Sequence, residues 1–189
     1  MEADFAVELG ADDEVLDLPW VSADSAVRYY DLKRQPDLLL CVDEAQLVPA
    51  LGEFLTAINS SATILETAKC DTWQTTDMKP EEEEIFGANS KFGSYIDLLF
   101  TDEPKRFSFS EHEQLATRLT QLLRRVPEIP AAAEFLVRRC HYHEDETHDG
   151  FYITFYLFGY GDDEPQAQQR WAIALKLVEN AIRQISVAS

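Results

Sequence analysis

Positive charge is what this sequence has least of. Its 189 residues hold 16 Lys and Arg against 35 Asp and Glu, a formal net charge of −19. A protein that grips a phosphate backbone clusters Lys and Arg to release its counterions, and this chain has no basic stripe. Nucleic acid and anionic lipid are therefore not expected partners. Long apolar runs are missing too. The longest, Phe151 to Phe158, is interrupted by Thr154 and falls far short of the roughly 20 residues of a membrane helix. Glu2, Asp4 and Glu8 stand where a secretory leader would carry Lys or Arg, so no signal peptide is expected. Cysteines number only 3 (Cys41, Cys70 and Cys140), an odd count with no CxxC, which suits a reducing compartment and a cytoplasmic protein.

Catalytic signatures are equally scarce. There is no GxSxG motif. Gly159-Tyr160-Gly161 lacks the GxxxxGK pattern and runs into Asp162, Asp163 and Glu164, which repel phosphate. The acids Glu81 to Glu84 lack the alternating oxygen ligands and central Gly of a Ca²⁺ loop. No catalytic residue is assigned and no cofactor is expected.

Hydrophobic residues make up 46%, enough to build a core and well above what disordered chains carry. The excess acid is concentrated. The segments 1–19, 77–84, 143–149 and 162–164 together hold 19 of the 35 acids, leaving 16 acids and 15 bases elsewhere. The body is near neutral, and the charge belongs to an N-terminal arm and three loops.

Periodicity divides the chain into an acidic arm and extended segment over 1–42 and one domain over 43–189. Residues 44–59 read as a helix with Leu47, Leu51, Leu55 and Ile58 on one face, Asp43 as its cap and Pro49 in its first turns. Strand-type residues fill 62–75, a polar loop follows, and a second strand spans Tyr95 to Phe100. The pattern then restarts. Ser110, three residues before Glu113, caps a helix over 111–126, and strands follow over 133–142 and 151–158. Gly159 and Gly161 end the last strand, and a helix closes the chain over 163–187 on a stripe of Trp171, Ala174 or Leu175, Val178, Ile182 and Ile185. Short strands are also expected over 37–42 and 105–110. Laid on each other, the halves match Leu47, Leu51 and Leu55 with Leu115, Leu119 and Leu123, Cys70 with Cys140, and Tyr95-Ile96 with Tyr152-Ile153. The expected fold is α+β: an antiparallel sheet built from a duplicated α-β-β unit (43–101 and 105–160), with helices packed on one face and a closing C-terminal helix.

The last strand is apolar on both alternating sets. Phe151, Ile153, Phe155 and Leu157 suit the helix-covered core, which sends Tyr152, Tyr156 and Phe158 to the other face. Something covers that face: residues 15–42, a second copy, or a partner. Six of 21 aromatics fall in 151–160. Tyr suits a surface that is half apolar and half hydrogen-bonded, so Tyr152, Tyr156 and Phe158, with Trp73, are the expected partner-binding residues. The element order over 43–187 resembles that of the type III secretion chaperone-like fold. That resemblance implies a small, acidic, dimeric protein that binds polypeptides without catalysis. The expectation is an interaction protein or chaperone-like homodimer.

One cluster offers other chemistry. His141, His143 and His148 fall within eight residues, and the first two share a strand face. Three imidazoles could ligate Zn²⁺ or a similar divalent ion, making a metal-binding protein or metalloenzyme the alternative; otherwise they form a solvated hairpin end.

Overall fold

The computed structural model describes residues 1–22, 28–143 and 146–187. The strands are β1 (Glu2–Glu8), β2 (Val15–Leu18), β3 (Leu65–Thr75), β4 (Ser90–Phe100), β5 (Ala131–His143) and β6 (Thr147–Gly161). The α-helices are α1 (Asp43–Leu47), α2 (Pro49–Ile58), α3 (Pro80–Phe86), α4 (Glu103–Arg106), α5 (Phe109–Leu123) and α6 (Glu164–Val187). The α+β class and the closing helix are as expected. None of these helices is long and apolar enough to cross a membrane.

The six strands form one sheet in the order β1-β5-β6-β4-β3, with β2 also on β5. The hairpins β3-β4 and β5-β6 meet antiparallel at β4 and β6. The sheet is nevertheless mixed, which corrects the antiparallel expectation. β1 and then β2 pair with β5 in parallel, because the N-terminal arm lies along that edge in the direction of β5. The loop between them is tied down by Arg138, whose guanidinium meets Glu8 at 2.7 Å and Glu14 at 3.4 Å.

Sequence pattern explains most of the local structure. α5 is amphipathic and sets Leu115, Leu119 and Leu123 in the core. Its cap is Ser108, not Ser110: the Ser108 hydroxyl accepts from the Glu111 N–H. The helix expected over 44–59 is two helices. Proline at 49 denies the backbone a donor, so α1 ends at Leu47, which is 80% exposed. Residues 36–41 form a 3₁₀ helix and 103–106 a helical turn where short strands were expected. Each opens with Pro in its first two positions, just ahead of the expected strand, where its fixed φ suits a helix start. The acidic stretch after β3 contains α3. Gly159 and Gly161 do not stop β6. A Cβ at either would collide with the backbone of α6, so glycine is what lets that helix cross the strand end.

α2, α5 and α6 cover one face of the sheet. Their core includes Ile96, Phe135, Ile153, Phe155 and Leu157 from the strands and Trp171, Val178 and Ile182 from α6. Trp171 donates its indole N–H to the Ser94 hydroxyl at 2.9 Å. The duplication is only partly seen in the register. Tyr95 and Tyr152 both face away from the helices, as the alignment of halves requires. Cys70 pairs with the helix-facing Ile96, whereas Cys140 packs with Leu16 and Tyr152 on the opposite side. A bulge between Thr67 and Cys70 shifts β3 by one face and breaks the equivalence.

Candidate functional site: the second sheet face

The second face is divided. Half of it is a small core of Leu16, Leu18, Ala68, Leu99, Cys140, Tyr142 and Tyr152, with Trp20 and Tyr29 packed against it. The N-terminal segment therefore supplies the cover here, with the Trp20 N–H donating to the Ala68 carbonyl at 2.8 Å. Tyr152 is 1% exposed beneath this cover. Its expected role in partner binding is not supported by its position.

The other half is partly open. Two rows of paired residues cross the sheet from β3 to β1. One reads Asp71, Tyr95, Tyr156, Glu134, Asp4. The next reads Trp73, Gly93, Phe158, Ala132, Glu2. Residues paired in register share a face, so Trp73, Tyr95, Tyr156 and Phe158 form one aromatic stripe flanked by carboxylates. All four rings are half-buried, while Asp71, Glu134, Asp4 and Glu2 are exposed.

The ring geometry is continuous. Trp73 meets Phe158 edge-on, with centroids 6.1 Å apart. Phe158 and Tyr156 stand parallel within 8° at 6.4 Å, and Tyr156 meets Tyr95 at 6.1 Å. Gly93 makes the first contact possible. A Cβ there would lie 2.6 Å from the Trp73 ring, so only glycine lets the indole reach across β4 toward Phe158.

Charges frame the stripe. The Lys91 ammonium sits 5.3 Å from the Phe158 centroid and is paired with Glu82 of α3 at 2.8 Å. Burial works against ionisation of Glu82, but hydrogen bonds from Lys91, the Lys79 N–H and the Tyr160 hydroxyl hold its pKa below the usual range. Tyr160 also stacks on Phe86, so α3 is pinned at one end of the stripe. At the other end Lys69 lies between the Trp20 and Tyr95 rings, at 5.7 and 5.8 Å. Burial, with Asp97 and Asp71 nearby, pushes the Tyr95 hydroxyl up.

Asp97 lies under the boundary between the two halves. Its carboxyl accepts from the Thr154 hydroxyl at 2.8 Å, and burial raises its pKa to about 7 against the pull of that bond, Lys69 and Arg138. Beyond the β3 edge a cleft of about 120 Å³ is lined by Trp20, Tyr30, Cys41, Glu44, Lys69 and Cys70, among others. Burial pushes the Cys70 thiol up to about 12, so it stays protonated.

The histidines separate. His141 and His143 share a face with ring centroids 6.2 Å apart. Each has its own carboxylate: His141 Nδ1 to Asp149 at 3.0 Å, and His143 Nε2 to Asp17 at 2.8 Å. His148 pairs with Tyr142 in the ladder and lies against Phe107, on the other side of the hairpin. The register thus splits the three-histidine set. Among the described residues no group of three His, Cys, Asp or Glu side chains is placed to hold a metal ion.

Of the expected binding residues, the structure brings Trp73, Tyr156 and Phe158 together. It adds Tyr95, Asp71, Glu134 and Asp4, which only the cross-strand register reveals. The alternation Lys91, Gly93, Tyr95, Asp97 in β4 was the available sequence signal for Tyr95. No family model, curated protein or solved structure matches this chain.

Proposed function

We propose that this protein is a non-catalytic interaction protein that engages a polypeptide over the open half of its second sheet face. One observation carries the reading. Four aromatic rings, Trp73, Tyr95, Tyr156 and Phe158, form a contiguous half-buried stripe on a face whose other half the N-terminal segment already covers. Tyr and Trp give large, rigid contact area at little entropic cost, which is why they concentrate at interface centres. A single apolar side chain on a surface needs no explanation, but a continuous patch marks a contact site.

A photo-crosslinking residue at Tyr156 tests this. Capture of a discrete protein partner, lost when Trp73 and Phe158 are changed to Ser, supports the reading. Equal capture of the same partner from Glu113, on the exposed side of α5, refutes it. Capture of a second copy would make the face a homodimer interface, detectable independently by sedimentation velocity.

A further inference from the structure

Resting on that reading of the face, we infer that its partner presents a basic segment, with Arg or Lys side chains lying over the rings between flanking carboxylates. The row Asp71, Tyr95, Tyr156, Glu134, Asp4 has acid at both ends and tyrosine in the middle. Glu134 and Asp4 are direct neighbours on β5 and β1, a like-charge pair that weakens the edge pairing. Asp4 has a distant contact to Arg124 at 3.5 Å, with both side chains largely exposed, so its charge is weakly offset. Glu2 extends the acidic edge into the next row beside Ala132 and Phe158.

The rings suit a cation as well as the acids do. Two lysines of the chain already use them this way: Lys69 over Tyr95 and Lys91 over Phe158. The parallel rings of Tyr156 and Phe158 offer flat faces on which a guanidinium can stack while its N–H groups reach Glu134. A second copy fits poorly. Packing two such faces together would oppose acidic edges on chains that each carry a net charge of −19. Charge complementarity therefore selects a heterologous, basic polypeptide.

The test uses the full chain and three short end-capped peptides. They share the same apolar residues and carry Arg, Gln or Glu at alternating positions. Affinity is measured by calorimetry at low and high salt. The Arg peptide should bind about tenfold tighter than the Gln peptide, as expected for two or three partly exposed ion pairs, and should lose most of that margin at high salt. The combined variant Asp71→Asn with Glu134→Gln should cut the margin of the Arg peptide over the Gln peptide to about twofold, and a margin that stays about tenfold overturns the role of these carboxylates. A Gln or Glu peptide that binds as well as the Arg peptide overturns the inference of a basic partner. The face itself still stands in that case if Phe158→Ser with Tyr156→Ser removes the binding. Arg-peptide binding that ignores Phe158→Ser with Tyr156→Ser overturns both. Absence of Arg-peptide binding overturns the inference, and crosslinking from Tyr156 then decides the face alone. Circular dichroism and urea unfolding confirm that each variant is folded.

Discussion

Replacing Asp97 with Asn should remove a pH-dependent loss of stability. The Asp97 side chain is buried with one hydrogen bond from Thr154, and that bond, Lys69 and Arg138 together lower its pKa less than burial raises it. Its pKa rises from the ordinary 3.8 to about 7 in the folded chain. Below 3.8 both folded and unfolded chains hold the proton, and the full stability is present. Between 3.8 and about 7 the unfolded chain has lost the proton and the folded chain keeps it, so stability falls as pH rises. Above about 7 the penalty is constant. A tenfold change in proton affinity is worth about 1.4 kcal/mol, so the whole penalty is about 4 kcal/mol. Asn has the same shape and no charge. Asp97→Asn should therefore gain on the wild type by about 3 kcal/mol between pH of about 5 and about 8, with nearly all of the gain complete by about pH 7. Urea unfolding followed by tryptophan fluorescence reads this at each pH. Comparing variant with wild type cancels the general repulsion of a strongly acidic chain. A difference that does not change with pH would refute the reasoning. So would a variant less stable than wild type at high pH, because Asp97 would then be an ionised, paired carboxylate.

Other substitutions separate buried from exposed contacts. Arg106 holds Glu66 at 3.1 Å, donates to the Phe100 carbonyl and lies over Tyr142, with both ionic partners largely buried. Arg106→Ala should cost about 3 kcal/mol in urea unfolding, because it strips a buried carboxylate, whose pKa burial already raises, of its closest ion-pair partner. Arg124→Ala, which removes an exposed pair with Asp4 and one hydrogen bond to the Ala3 carbonyl at 2.8 Å, should cost only about 1 kcal/mol. Gly93→Ala should displace Trp73, costing about 1–3 kcal/mol and shifting indole emission toward the solvent-exposed value, since the added Cβ meets the ring. His141 and His143 changed together to Ala should move stability by less than about 1 kcal/mol, because both carboxylate pairs are exposed.

How far the residues foretold this structure depends on range. Periods of 3.6 and 2 located the long helices and the four central strands, because each is amphipathic or strongly apolar by itself. The assignment of Ile153, Phe155 and Leu157 to the core needed only alternation. Helix and strand ends needed more. Ser108 outcompeted Ser110 as a cap, and Pro49 split a helix that the apolar pattern had joined. Long-range pairing was the least legible. Nothing in Glu2–Glu8 states that it lies parallel to Ala132–Arg138. Once it does, Asp4 stands beside Glu134, and Leu16 and Leu18 bury Tyr152. The stripe was thus visible as a run of aromatics, but which of them remain open was decided by a segment more than a hundred residues away.

That same pairing imposes an order on synthesis. β1 is made before its partner, and the strand it lies against follows 130 residues later. At ordinary translation rates the delay is on the order of ten seconds, far longer than a hairpin takes to form. Throughout it the N-terminal strand has no partner in the sheet. Its Glu2, Asp4 and Glu8 keep an otherwise β-prone segment charged and unattractive to other strands while it waits. The edge of the finished sheet is therefore laid down by a strand made well before its partner, and its acids act while that strand is still unpaired.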